Sequence, residues 1–164
     1  MDAEYFISAL GLEKHPEGGY YREIYKNGGM ITDNGLTNRF EGKRHLATSI
    51  YFLLKSGEVS RLHRLKSDEL WYYHAGASMT IYEIGLDGEM RTHRLGLDTE
   101  AGELPQVVIP GGCIFGALVN GSSSFTLVGC MVSPGFDFTD FELLTREWLM
   151  AAYPRHEAVI RLLT

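Results

Sequence analysis

The sequence predicts an all-β architecture, and three observations carry that reading. Glycine supplies 19 of 164 residues, about 12% against a usual ~7%. Short runs rich in β-branched and aromatic residues recur along the chain, and glycine-containing turn signals separate them. Short strands without long intervening helices point to a sandwich or barrel rather than to a parallel βαβ sheet.

Taken in order, Asp2 to Leu10 opens with acidic residues and places Tyr5, Phe6, Ala9 and Leu10 at helical spacing before Gly11, which predicts a short capped helix. Strands are expected at Gly19 to Tyr25, Leu46 to Leu54, Val59 to Leu65, Leu70 to His74, Met79 to Ile84, Met90 to Leu95, Gln106 to Ile109, Cys113 to Val119 and Ser124 to Val132. Between them stand Asn27-Gly28-Gly29, Asn34-Gly35, Ser56-Gly57, Asp87-Gly88, Pro110-Gly111-Gly112 and Asn120-Gly121. Asp87-Gly88 in particular predicts a tight antiparallel hairpin. From Thr139 the period becomes helical, with Phe141, Leu144, Trp148, Leu149 and Ala152 on one face; Pro154 then ends the helix and starts a last turn. No repeat, linker or long charge run divides the chain, so residues 1–164 are read as one domain.

Composition excludes several functions. A formal charge of −6, from 15 basic and 21 acidic residues, is opposite in sign to what a phosphate backbone selects, so no nucleic-acid partner is expected. The longest apolar run, Ile50 to Leu54, falls far short of a membrane span, and Met1-Asp2-Ala3-Glu4 does not resemble a signal peptide. Cys113 and Cys130 lie in apolar stretches without metal-ligand spacing, as buried thiols of a reducing compartment do, and a cytoplasmic location is expected.

Candidate chemistry concentrates between Gly57 and Gly76. Strand alternation puts His63 on one face with Arg61 and Leu65, and on the next strand groups Glu69, Trp71 and Tyr73. An ionisable His and Glu among aromatics, inside a barrel wide enough for a small molecule, is the arrangement of a ligand cavity. Within Glu17-Gly18-Gly19-Tyr20-Tyr21-Arg22-Glu23, Arg22 is the candidate for binding an anionic group, because guanidinium pairs with carboxylate or phosphate; an ion pair with Glu17 or Glu23 is its alternative. Cys113 follows the glycine turn and is placed to border the cavity, without the basic neighbour a nucleophile needs.

These residues resemble the cupin superfamily. Its first motif, G-(x)5-H-x-H-(x)3,4-E-(x)6-G, is matched by Gly57, His63, Glu69 and Gly76, with Leu65 in place of the second histidine. Its second, G-(x)5-P-x-G-(x)2-H-(x)3-N, is matched by Pro110 and Gly112, with Phe115 and Val119 where histidine and asparagine belong. The phrases His15 to Glu23, Thr48 to Leu54, Ser67 to Trp71 and Ser133 to Phe141 are similar to the cupin group classed as a domain of unknown function. The resemblance implies a jelly-roll barrel, or double-stranded β-helix, similar to nucleotide-sugar 3,5-epimerases and assembled as a homodimer.

Two kinds of function follow. In the first, the protein is an epimerase-like enzyme on a small polar metabolite, carbohydrate-like or anionic. His63 is then the general base, Glu69 orients it or accepts its charge, Tyr51 or Tyr73 returns a proton, and Trp71 and Phe115 wall the ligand. In the second, the barrel only binds or senses such a molecule. A metal-dependent cupin enzyme comes third: His63 and Glu69 would be the ligands, too few without His45, His74 or a thiolate, so no cofactor is expected.

Overall fold

The computed structural model describes residues 1–32, 35–36 and 39–164; Asn34 of the expected Asn34-Gly35 turn lies outside them. Helix α1 (Ala3–Leu10) precedes the strands β1 (Glu13–Lys14), β2 (Tyr20–Lys26), β3 (Met30–Ile31), β4 (Arg44–His45), β5 (Thr48–Lys55), β6 (Val59–Leu65) and β7 (Asp68–Gly76). Strands β8 (Met79–Ile84), β9 (Met90–Leu95), β10 (Gln106–Ile109), β11 (Ile114–Val119), β12 (Phe125–Ser133) and β13 (Phe141–Leu143) follow, then helices α2 (Arg146–Ala152) and α3 (Glu157–Leu162).

Two antiparallel sheets face each other. One has the order β1-β2-β5-β12-β7-β10 and the other β13-β6-β11-β8-β9, which is the jelly-roll arrangement of a double-stranded β-helix. Alternation decides which side chains meet between them. Phe52, Leu54, Trp71, Val128 and Cys130 come from the first sheet; Leu65, Ile81, Leu95, Phe115 and Ala117 come from the second. The outer faces are covered unequally. Helix α1 lays Phe6, Ile7 and Leu10 beside Leu53 and Leu127, while Leu149, Ile160 and Leu163 of the C-terminal helices bury Leu62, Ile84 and Ile114.

Local chemistry explains the ends. Asp2 accepts from the Tyr5 amide and Gly11 adopts φ 60°, so α1 is capped at both termini. Gly76 closes β7 at φ 96°, and a Cβ there would stand 2.0 Å from the Phe125 carbonyl oxygen, which accounts physically for the last glycine of the first motif.

One expected element differs. The residues from Thr139 to Leu144 are not α-helical: Phe138–Asp140 forms a single 3-10 turn, and Phe141–Leu143 pairs with β6 before Thr145 caps α2. The cause is Asp140, buried in a two-pronged pair with Arg44 at 2.6 and 2.7 Å, with Lys66 at 3.5 Å. This pair ties the Ser133-to-Phe141 strap to β4 and takes the chain off the helical path. Among the described residues no helix is long and apolar enough to cross a membrane.

Asp140→Asn leaves the Arg44 guanidinium buried against a neutral group and should lower unfolding stability by about 3 kcal/mol. Replacing both partners with apolar residues of similar size should cost less. Urea denaturation of the single and double variants measures the difference.

Candidate functional site

At one end of the barrel a cavity of about 240 Å³ opens between the sheets. Its floor carries Phe52, Leu65, Trp71 and Val132; its polar groups are His15, Glu17, His63 and Glu69; Phe136, Phe138 and Phe141 of the strap form one wall, and Tyr21 and Glu23 of β2 complete the lining. The strap aromatics pack edge-on, with Phe136 and Phe138 centroids 4.9 Å apart.

Glu17, like His15, is a site residue that the sequence reading missed as such. It reaches the interior because Gly18 and Gly19 turn the chain sharply, at φ 119° and 70°. A Cβ on Gly18 would lie 2.1 Å from the Val59 carbonyl oxygen, so the close approach of this turn to β6 requires glycine. That glycine pair is the signal available in the sequence. Buried, Glu17 accepts from the Ser60 hydroxyl at 2.7 Å through Oε1, and its Oε2 lies 3.2 Å from His63 Nε2.

His63 is held from both sides. Its Nδ1 lies 2.6 Å from the Arg61 carbonyl oxygen, which can only accept, so Nδ1 carries a proton. Its Nε2 faces the Glu17 carboxylate, close enough for the two groups to pass a proton between them. The ring packs against Phe115 and Phe141, at centroid distances of 4.2 and 5.4 Å. His15, beside the same carboxylate, accepts from the Glu17 amide through Nδ1, and burial lowers its pKa despite the nearby charge.

Glu69 projects into the cavity from the start of β7 and makes no ion pair among the described residues. Burial, followed by the nearby charge of Glu17, pushes its pKa up to about 8, against weak opposing pulls from Cys130 and Trp71. The Trp71 indole N–H beside it makes no hydrogen bond of normal geometry. The surroundings of Glu69 therefore favour the neutral, protonated carboxyl over the carboxylate. The Cys130 thiol, which also borders the cavity, is held protonated by burial and by Glu69.

Several expected site residues lie elsewhere. Arg22 points away from the cavity because its neighbours Tyr21 and Glu23 occupy the inward positions of β2, and it donates instead to the Leu10 carbonyl at 2.8 Å. Tyr51 is outward for the same reason, with Ile50 and Phe52 inward on β5. Tyr73 shares the inward face with Trp71 but lies four residues beyond Glu69, about 13 Å along the strand, with its hydroxyl donating to the Gly76 carbonyl. Phe115 is fully buried under the His63 ring rather than lining the ligand space. Cys113 lies in the core near Glu83, away from the cavity.

Arg61 is turned outward by a β-bulge. Two residues of β6, Arg61 and Leu62, oppose the single Gly116 of β11, so alternation resets, Ser60 faces Glu17 and Arg61 leaves the interior. Its guanidinium donates to the Pro16 carbonyl.

The cupin metal site does not fit these residues. Leu65 and Phe115 occupy two ligand positions with hydrocarbon, and His63 Nε2 is engaged by Glu17. His45 makes its own contact with the Asn27 carbonyl and His74 lies on the outer face. Among the described residues, no group of three His, Cys, Asp or Glu is disposed to hold a metal ion.

The family described as cupin superfamily (DUF985) matches residues 4–144. The chain belongs to this cupin family. An uncharacterized protein of Saccharomyces cerevisiae is 28% identical over 150 residues, covering 86% of this chain and 74% of its own. The crystal structure of a Shewanella oneidensis protein is 51% identical with a TM-score of 0.91, over 100% of this cupin and 98% of that chain. A hypothetical protein from Leishmania major is 40% identical at TM-score 0.91, over 100% and 99%. Oxalate decarboxylase from Bacillus subtilis, 18% identical at TM-score 0.57 over 92% of this chain and 36% of that one, shares the fold alone.

A pKa of about 8 in the folded state, above the ordinary 4.5, means that folded Glu69 keeps a proton which the unfolded chain releases. Its contribution to stability is thus present below about pH 4.5 and is lost as pH rises toward 8, at up to about 1.4 kcal/mol per pH unit. Glu69→Gln cannot ionise. Compared with the native protein, this variant should gain stability between about pH 5 and pH 8 in denaturant melts, whereas a gap that does not change with pH would show that Glu69 titrates normally.

Proposed function

We propose that this cupin binds a small polar metabolite bearing a carbonyl group and moves a proton at the adjacent carbon, as an epimerase or isomerase does. The observation that carries the reading is the division of labour between two carboxyl groups facing one cavity: Glu17, coupled to His63, and Glu69, kept neutral by burial. In the forward step the C–H bond next to the carbonyl breaks and its proton passes to the Glu17–His63 pair. The electron pair moves into the carbon framework, and the Glu69 O–H delivers its proton to the carbonyl oxygen, forming an enol. Return of a proton to the other face, or to the neighbouring carbon, gives the isomer and restores both groups.

His63 remains central, but as half of a pair with Glu17 rather than with Glu69. Phe115 positions its ring, and the aromatic floor excludes water from the reacting atoms. One observation favours the second reading, a binding or sensing module. Leu65 and Phe115 have replaced two polar motif positions, and the same cavity would serve a ligand that never reacts.

Homodimer assembly also belongs to the proposal. Ile24 and Tyr25 of β2, Met30 of β3 and Leu46 beside β4 are about half exposed, more apolar surface than isolated strands need to show. The buried, protonated thiols suit the cytoplasm.

Deuterium exchange from solvent into small hydroxy-carbonyl compounds, followed by proton NMR, tests the chemistry. Exchange should exceed the buffer rate by at least ~100-fold, decline as pH rises through about 8 where Glu69 ionises, and fall more than tenfold in Glu69→Gln and Glu17→Gln. Binding without exchange supports the sensing module instead. In light scattering at micromolar concentration, the protein should appear at twice the 18.4 kDa chain mass; a monomer rules out the assembly.

A further inference from the structure

From the charges around the cavity we infer that its ligand is uncharged: an unphosphorylated hydroxy-carbonyl compound with an apolar or ring face, and not a nucleotide sugar or other anion. This deepens the proton-transfer reading and rests on the same cavity. Among the described residues, no lysine or arginine lines the space, whereas three carboxyl groups, Glu17, Glu23 and Glu69, do. The one imidazole nitrogen that could offer a proton from His63, Nε2, is already engaged by the Glu17 carboxylate.

Cations on the strands around the cavity are engaged by other groups. Arg22 is held by the Leu10 carbonyl, turned outward by the parity of β2, and Arg61 by the Pro16 carbonyl, turned outward by the β6 bulge. Arg44 is buried against Asp140, Arg64 pairs with Glu142, and Lys26 reaches Glu23 at 3.3 Å from outside the lining. A phosphate or carboxylate brought into the cavity would meet glutamates, with no guanidinium or ammonium in the lining to replace its hydration.

Size agrees with charge. About 240 Å³ suits a compound the size of a free triose or pentose better than a whole nucleotide sugar. The polar groups suit a neutral ligand. A carbonyl can accept from the Glu69 O–H, hydroxyls can bond to Glu17 and His15, and a ring or hydrocarbon face can stack on Trp71 or the strap phenylalanines.

The test uses matched pairs that differ only in a phosphate, dihydroxyacetone with its phosphate and D-xylulose with its 5-phosphate, by saturation-transfer NMR and titration calorimetry on the full chain. Uncharged members should bind at least tenfold more tightly than their phosphorylated partners. Glu23→Arg, a change at the exposed rim, should narrow that ratio about tenfold. Equal or tighter binding of the phosphates overturns the inference, as does failure of every uncharged probe to bind, or tighter binding of aminoacetone as a cationic control. Solvent deuterium exchange is read on the same samples. Exchange with a phosphorylated preference would sink the charge inference alone, while neutral preference without exchange would sink proton transfer and leave this inference standing.

Discussion

Two carboxyl groups facing one aromatic cavity cannot both carry unrelieved charge, and much of the site's arrangement answers that constraint. Glu17 is satisfied by a serine hydroxyl and by His63, whose other nitrogen is claimed by a backbone carbonyl. Glu69 has no such partner and resolves the conflict by staying protonated. The difference between the two is therefore one of surroundings rather than residue type, and it yields a proton acceptor and a proton donor a short distance apart in the same space.

The scaffold holds this difference in place at points where regular structure breaks. The Gly18-Gly19 turn carries Glu17 inward, the bulge at Arg61 and Leu62 brings Ser60 beneath it, and the Arg44–Asp140 pair fastens the aromatic strap over the opening. Regular strands supply the floor. A buried histidine braced by Phe115 and Phe141 has little rotational freedom, so its nitrogen stays aimed at the carboxylate without help from a metal ligand set.

Much of the fold could be read from the sequence because the strands that build the sandwich alternate cleanly. Val59–Leu65, Met79–Ile84, Met90–Leu95 and Gln106–Ile109 keep their expected limits. What escaped was either short or nonlocal: β1, β3, β4 and β13 have two or three residues each, and Phe141 fitted a helical pattern until Asp140 found a partner 96 residues away. The cavity's heart, His63, Glu69 and Trp71, was legible through one motif. Strand parity explains the misplaced residues. Ile50, Phe52 and Leu54 form a more apolar set than Tyr51 and Leu53, so the outward turn of Tyr51 could have been read, while Arg61 obeys alternation until a bulge that only the pairing with β11 reveals.

That bulge also sets how this barrel can change over evolutionary time. The two β6 residues share one partner at Gly116, so one residue inserted in β11 opposite them would give each its own partner, restore alternation along β6 and pass the bulge to the β8 side, where β11 now pairs without a break. Ser60 would rotate out from under Glu17, and the Arg61 guanidinium would swing into the lumen. A single inserted codon would thereby bring a guanidinium into a lining that holds none, turning a vessel for neutral molecules into a receptor for acids.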